Sequence, residues 1–168
     1  RDEDLQRVRG ASSLPINLEM AATAEMLDIA LAFKPETAMF VPEKREERTT
    51  EGGLDVARGH NHLAPFVRQL RENGSKVSLF IEPDMVQLMA AHQIGASVTE
   101  FHTGRFVELI FAGEETLAGE ELDRIKACAE RAVEIGIEPQ AGHGLTYETV
   151  KPIAEIPQLT ELNIGHFI

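Results

Sequence analysis

The segment Ile137-Glu138-Pro139-Gln140-Ala141-Gly142-His143-Gly144-Leu145-Thr146 decides the fold. A short run with strand character leads into Gly-His-Gly, and a helical pattern begins at Thr146. Glycines on both sides let the backbone approach a ligand closely, and histidine suits proton transfer near neutral pH. Leu162-Asn163-Ile164-Gly165-His166 repeats the pattern, an apolar strand that ends in Gly-His. The sequence therefore predicts two strand ends that form one side of an active site.

The composition is that of one globular domain with an acidic surface. The 168 residues, 43% hydrophobic and 26% charged, suffice for one substantial core, so we expect a single domain over residues 1–168. With 16 basic and 28 acidic residues the net charge is −12, which argues against nucleic acid and acidic membrane surfaces as partners. No apolar run approaches the roughly 20 residues that cross a bilayer, and we expect a cytoplasmic location.

The sequence offers little for a metal or a cofactor. The single cysteine, Cys128, excludes an internal disulfide, and we interpret it as a buried helix residue in a reducing compartment. His60 and His62 have metal-like spacing, yet no third ligand follows nearby, and a solvated helix start is the favoured interpretation. Neither the usual dinucleotide nor the usual nucleoside triphosphate signature occurs. We predict no metal and no cofactor.

Strands and helices alternate along the chain. Strands are predicted at Pro15–Met20, Thr37–Val41, Lys76–Ile81, Ser97–Gly104, the opening segment and Leu159–Ile168. Helices are predicted at Asp2–Arg9, after the capping residue Thr23, and at Leu63–Glu72, Asp84–Gln93, Glu120–Ile135 and Thr146–Ala154. The segment Arg105–Gly119 is interpreted as an elaborated loop. This alternation predicts an α/β fold with a parallel sheet and helical crossovers.

Polar residues fall at the carboxyl ends of many different strands: Glu19, Glu43, Lys44, Glu82, Glu100, His102, His143 and His166. Such a distribution favours a (β/α)8 TIM barrel, in which groups from several strands converge on one face. An open doubly wound sheet would concentrate them at one switch point. Because about six strands are present, we predict an incomplete barrel.

The charged loop Pro42–Gly53 is long for a compact α/β domain, at about twelve residues. A solvated surface loop is one interpretation. Its mixed charges and its closing Thr-Thr-Glu-Gly-Gly favour a loop that moves over a substrate. Lys44 could form a Schiff base, but a surface role suits its charged surroundings better.

Several blocks along the chain resemble the pyridoxine 5′-phosphate synthase family. They are Asn17-Leu18-Glu19-Met20-Ala21, Val41-Pro42-Glu43-Lys44-Arg45, Thr49-Thr50-Glu51-Gly52-Gly53-Leu54-Asp55-Val56, Val77-Ser78-Leu79-Phe80-Ile81, Glu100-Phe101-His102-Thr103-Gly104, Ala141-Gly142-His143-Gly144-Leu145-Thr146-Tyr147 and Glu161-Leu162-Asn163-Ile164-Gly165-His166. The blocks occur in the family's order and cover nearly the whole chain. The resemblance implies a (β/α)8 barrel, commonly a homo-octamer in the bacterial cytoplasm. It also implies the condensation of 1-deoxy-D-xylulose 5-phosphate with 3-amino-2-oxopropyl phosphate, with release of phosphate and water.

The resemblance also implies roles for individual residues. Glu19 matches a catalytic base, His143 a catalytic proton donor and Glu100 a carboxylate that stabilises the transition state. Substrate contacts are matched by Thr49, to the deoxyxylulose phosphate, and by Gly144, Gly165 and His166, to the aminoketone phosphate. The residues alone leave other interpretations open: Glu100 in an ion pair with a lysine, His143 as a structural histidine, and His102 as a residue that orients Glu100.

The chain departs from the family at its beginning. The family's Asn-x-Asp-His and His-x-Arg-Glu-Asp-Arg-Arg-His blocks, which supply a further base and most of the phosphate-binding cations, do not occur in these 168 residues. The resemblance therefore implies that the first two strands and the last helix of the barrel are not covered, and we expect only part of a site. Two alternatives to the synthase remain: another phosphate-binding barrel of the aldolase or isomerase type, and an inactive barrel fragment.

Overall fold

A computed structural model describes residues 2–49 and 52–168, without the side chain of Asp2. Thr50 and Glu51 of the predicted loop and Arg1 of the predicted domain lie outside this range. The six strands are parallel and stand in the sheet in sequence order. They are β1 (Asn17–Met20), β2 (Thr37–Phe40), β3 (Lys76–Ile81), β4 (Val98–His102), β5 (Glu138–Gly142) and β6 (Leu162–Asn163). The predicted alternation is confirmed, since helical segments connect these strands.

The helices are α1 (Asp2–Ala11), α2 (Ala24–Phe33), α3 (Val56–Glu72), α4 (Met85–Gln93), α5 (Gly104–Phe111), α6 (Glu115–Glu134) and α7 (Val150–Ala154). Local chemistry explains several boundaries. Thr23 accepts a hydrogen bond from the Met26 amide at 3.3 Å and caps α2, as predicted. The Asp84 carboxylate accepts from the amides of Val86 and Gln87 and caps α4 in the same way.

Several predicted elements were wrong in extent, among them the last helix, which begins at Val150 rather than at Thr146. Residues 105–119 form α5 and the start of α6 rather than a loop. The helix after β2, α3, begins at Val56, not Leu63, because Asp55 caps it by accepting from the Arg58 amide. β6 is a two-residue strand, since only Ala141 and Gly142 of β5 pair with it.

The sheet has two chemically different faces. Alternate strand residues point to opposite sides, and Leu79, Ile81 and Phe101 belong to the apolar core under the helices. The residues between them face the other side, where β3, β4 and β5 are in register at Phe80, Glu100 and Gln140. We call this second surface the inner face. Its residues include Glu19, Met39, Ser78, Phe80, Glu100, Gln140 and Asn163.

Six parallel strands with helices on the outer face form a partial barrel. Near the amino ends of the strands, Lys76 of β3 and Glu138 of β5 make an ion pair of 2.6 Å. Cys128 is 2% exposed within α6, as predicted for a buried helix residue. Among the described helices, none is both long and apolar enough to span a bilayer.

The 168-residue chain by itself is predicted to self-associate. Within the described residues β1 and β6 each pair with a single strand, so both edges offer free backbone groups to another molecule. Light scattering coupled to size-exclusion chromatography, at several protein concentrations, should give masses above 18.5 kDa that rise with concentration. A sharp monomer peak with cooperative unfolding would contradict this expectation.

Candidate active site at the carboxyl ends of the strands

Glu100 is a buried acidic side chain on the inner face. It is 3% exposed, and its Oε2 accepts a hydrogen bond of 2.5 Å from Asn163 Nδ2. Burial raises the pKa of the Glu100 carboxyl from 4.5 to about 7, against the opposing effect of Asn163. The negative charges of Glu19 and Glu161 make smaller contributions to the same rise. Glu100 is therefore a carboxyl that can hold or release a proton near neutral pH.

Gly142, at the end of β5, gives Glu100 its space. A Cβ atom at this position would collide with Glu100 Oε1 and would lie 2.7 Å from the Asn163 carbonyl oxygen. The glycine is required because the carboxyl and the neighbouring strand both approach the backbone here. The first glycine of the Gly-His-Gly segment is thus required by the space that Glu100 occupies.

The His143 turn has an unusual backbone. His143 has a φ of 78° and Gly144 a φ of 79°, a region that residues with a Cβ seldom occupy. Thr103 holds the turn: its hydroxyl lies 2.8 Å from the Gly142 carbonyl oxygen and 2.6 Å from that of His143. The turn directs an exposed imidazole to the mouth of the strands.

The His143 ring lies in an aromatic group. It stacks on His102, with ring centroids 4.7 Å apart and planes at 28°. Phe80 packs against both rings, at 5.0 Å from His102 and 5.9 Å from His143. His102 Nδ1 also lies 3.8 Å from Glu82 Oε1. These contacts favour His143, rather than Glu100, as the residue that His102 orients.

Thr49 approaches the site through the carboxylate of Glu82. Its hydroxyl lies 3.1 Å from Glu82 Oε1 and 3.3 Å from the Gly53 carbonyl oxygen. The Gly53 amide donates to the same Glu82 oxygen at 2.6 Å. The described part of the loop 42–53 is therefore attached to the carboxyl end of β3.

The remaining predicted residues line the same edge of the sheet. Glu19 of β1 is exposed on the inner face, close enough to affect the pKa of Glu100. Gly144 follows His143 directly, whereas Gly165 and His166 are exposed beyond β6. The structure thus places Glu19 close enough to Glu100 to raise its pKa, and it places His143 directly after the glycine that makes room for Glu100. Their catalytic and substrate-binding roles stay predictions.

Four further residues shape this site. Asn163 donates a hydrogen bond to Glu100, and Thr103 holds the His143 turn. Glu82 and Phe80 lie beside His102. Asn163 immediately precedes Ile164-Gly165-His166, and Glu82 directly follows an apolar strand. A polar residue at the end of a strand indicates a candidate site residue, so both could be found from the sequence. Phe80 gave no such signal, because an aromatic residue in a strand is usually core.

The described residues contain no group of three or more His, Cys, Asp or Glu side chains that could hold a metal. His60 and His62 lie inside α3, not at a helix start. His62 Nε2 lies 2.8 Å from the Ala22 carbonyl oxygen, and its ring packs on Phe66 at 5.0 Å. These contacts give His62 a role in packing α3 against the segment after β1.

The fold and the site define a class of protein: a partial parallel α/β barrel with ionisable side chains at the carboxyl ends of its strands. The family model described as pyridoxal phosphate biosynthesis protein PdxJ matches residues 1–168. The chain belongs to the PdxJ family.

Two curated relatives are named pyridoxine 5′-phosphate synthase. The protein from Rhodospirillum rubrum is 56% identical over 167 residues, which cover 99% of this chain and 66% of the relative. The protein from Ruegeria pomeroyi is 51% identical, with coverages of 99% and 67%. The chain thus spans about two thirds of the length of these relatives. The match does not favour the alternative of an aldolase or isomerase.

A solved structure supports the fold alone. The 3-keto-L-gulonate-6-phosphate decarboxylase of Vibrio cholerae superposes with a TM-score of 0.66 at 14% sequence identity. The superposition covers 98% of this chain and 69% of that protein.

The raised pKa of Glu100 predicts a dependence of stability on pH. Between pH 4.5 and about 7 the folded carboxyl keeps a proton that the unfolded chain releases. The contribution of Glu100 to the free energy of unfolding is therefore greatest below pH 4.5 and is lost as the pH rises through about 7. The free energy of unfolding falls over this range by on the order of 3 kcal/mol.

Thermal unfolding of the full-length protein and its Glu100→Gln variant, followed from pH 4.5 to 8, measures this effect. Glutamine imitates the protonated carboxyl at every pH. The unfolding midpoint of the wild type should therefore fall relative to that of the variant as the pH rises. Parallel curves over the whole range would show that Glu100 has an ordinary pKa.

Proposed function

We propose that the protein to which this chain belongs is a pyridoxine 5′-phosphate synthase. It would condense 1-deoxy-D-xylulose 5-phosphate with 3-amino-2-oxopropyl phosphate to form the pyridoxine 5′-phosphate ring, with release of phosphate and water. Membership of the PdxJ family and the names of the relatives support this activity.

The observation that carries the proposal is the group of proton-transfer residues at one edge of the sheet. Glu100 is buried with a pKa of about 7 beside the charge of Glu19. His143 follows Gly142, whose lack of a side chain leaves the space that the Glu100 carboxyl occupies. Amine addition to a ketone, dehydration, phosphate elimination and ring closure are mostly proton transfers, which require acids and bases around one substrate.

Each of the three residues suits one role. Glu19 is exposed on the inner face and serves as the base that removes a proton from the substrate. His143 is exposed on a turn held by Thr103 and donates a proton to the leaving oxygen. Glu100 stabilises positive charge on the reacting nitrogen when it is ionised, and it donates a hydrogen bond when it is protonated.

Backbone amides at these turns would bind the phosphate groups of the two substrates. Gly144 has a φ of 79° and follows the exposed His143, so its amide can approach an anion closely. Gly165 and His166 are exposed after β6 and would contact the aminoketone phosphate. Thr49 would contact the deoxyxylulose phosphate. Such contacts allow a chain of net charge −12 to bind phosphates locally.

The complete protein is proposed to be a single-domain (β/α)8 barrel. Two further strands before β1 and a final helix would close the six-stranded sheet and bring the missing base and phosphate-binding cations. We also propose a homo-octamer in the bacterial cytoplasm, in line with the family resemblance. Neither nucleic acid nor a membrane is proposed as a partner.

The activity is tested with the full-length protein and three single variants. Glu19→Gln, Glu100→Gln and His143→Asn each remove a proton-transfer group with little change in shape. Each should lower kcat about 10²- to 10⁴-fold in an assay of pyridoxine 5′-phosphate formation from the two phosphorylated precursors.

Matched controls separate chemistry from general damage. Glu138→Gln removes a carboxylate from the amino ends of the same strands, where its partner is Lys76, and His92→Asn changes an exposed histidine on α4. Both should retain nearly wild-type kcat. Full activity in the three site variants, or trapping of an essential lysine by borohydride, would overturn the proposal.

A further inference from the structure

Asn163 of β6 contacts both Glu100 and His143. Its side-chain nitrogen, Nδ2, donates to Glu100 Oε2 at 2.5 Å. Its backbone carbonyl oxygen accepts from the His143 amide at 3.5 Å. One residue therefore touches the buried carboxyl through its side chain and the turn of the exposed imidazole through its backbone.

The contact between Asn163 and Glu100 crosses a whole strand. Glu100 lies on β4 and Asn163 on β6, so β5 stands between them and the two backbones are roughly 10 Å apart. Their side chains meet above Gly142, the partner of Asn163 in the sheet. A Cβ at Gly142 would collide with Glu100 Oε1 and would lie 3.0 Å from Asn163 Cβ. The missing side chain of Gly142 thus makes the contact between β4 and β6 feasible.

Gln140 determines which end of the Asn163 amide faces Glu100. It is buried on the inner face, and its Oε1 lies 3.4 Å from Asn163 Nδ2. The same end of the amide therefore has oxygen atoms of both Gln140 and Glu100 as neighbours. An amide nitrogen can donate to each of them, whereas the amide oxygen could donate to neither. The nitrogen of Asn163 is accordingly directed at Glu100.

We propose that Asn163 is a positioning residue that holds the Glu100 carboxyl in a fixed direction relative to His143. Its side chain sets the direction of the carboxyl, and its backbone packs against the strand end that carries His143. An amide does not titrate near neutral pH, so Asn163 transfers no proton itself. For catalysis the inference rests on the proposed synthase function, in which Glu100 and His143 act on one substrate.

The same hydrogen bond favours the ionised form of Glu100, because an N–H group donates more strongly to a carboxylate than to a neutral carboxyl. It opposes the effect of burial, which raises the pKa of Glu100 to about 7. Without the Asn163 donor, burial and the negative charges of Glu19 and Glu161 remain, and all three raise the pKa. Loss of the Asn163 amide should therefore move the pKa of Glu100 above 7.

The test compares Asn163→Leu with Asn73→Leu in the full-length protein labelled with carbon-13 at glutamate. Leucine keeps the branched shape of asparagine without its amide. In Asn163→Leu the titration midpoint of Glu100 should rise by about one pH unit, the effect of one hydrogen bond to a charged group. Asn73 is the matched control, a half-buried residue at the end of α3 that donates to the Leu31 carbonyl oxygen at 2.9 Å. Its variant should leave the Glu100 midpoint unchanged.

A second readout uses the wild-type protein, so it does not depend on the folding of a variant at Asn163. The side-chain amide resonances of Asn163 should shift with pH at the same midpoint as the Glu100 carboxyl, and Glu100→Gln should abolish that shift. The Asn73 amide should show no shift with this midpoint, since its partner is a backbone carbonyl. An Asn163 amide that does not respond to Glu100, or an unchanged Glu100 midpoint in Asn163→Leu, would overturn the proposal.

Kinetics test the link to catalysis. Asn163→Leu should lower kcat about tenfold at pH 7 with a smaller change in KM, because a misdirected carboxyl impairs the reaction more than binding. The loss should become smaller as the pH rises, since Glu100 then regains its negative charge. Because Asn163 acts through Glu100, its substitution should cost little further activity in the Glu100→Gln variant. Asn73→Leu should retain nearly wild-type kcat.

A loss in Asn163→Leu that is the same at every pH, or that multiplies with the loss in Glu100→Gln, would contradict the positioning role. If the wild type forms no pyridoxine 5′-phosphate, the proposed function fails. The two NMR titrations then still decide whether Asn163 holds Glu100.

Discussion

The site depends on the burial of one carboxyl group, that of Glu100, on the inner face of a parallel sheet. A buried carboxyl is costly unless it is hydrogen-bonded or neutral, and here Asn163 donates to it while its pKa rises to about 7. This arrangement needs Gly142, because a side chain there would occupy the space of the carboxyl. The turn that presents His143 begins at that glycine, so acid and imidazole are positioned by the same backbone.

A second constraint concerns the loop before α3. Glu82 holds the described end of that loop and faces His102, which stacks on His143. The same inner face thus has two connected centres, a carboxyl centre at Glu100 and an imidazole centre at His143. Barrel enzymes often combine residues from several strand ends in this way, and here the strand ends of β3, β4 and β5 supply both centres.

The sequence predicted those features that depend on local pattern. Short apolar segments that alternate with segments of helical periodicity located the six strands. The polar residues at the strand ends indicated Glu19, Glu100 and His143. The extents of α5 and α6 were missed because Gly104 and Gly113 resemble loop signals, although Gly104 begins a helix. The pairing of Glu100 with Asn163, 63 residues apart, and the stack of His102 on His143 are tertiary contacts. No local pattern encodes which inner-face side chains will meet.

The titration of Glu100 tests the central claim most directly. In the full-length protein labelled with carbon-13 at glutamate, the Glu100 carboxyl resonance should titrate with a midpoint near pH 7. The midpoint should move to lower pH in Glu19→Gln, because a neighbouring negative charge is removed. A midpoint near 4.5 that Glu19→Gln leaves unchanged would contradict the account of a buried, charge-coupled carboxyl at the centre of the site.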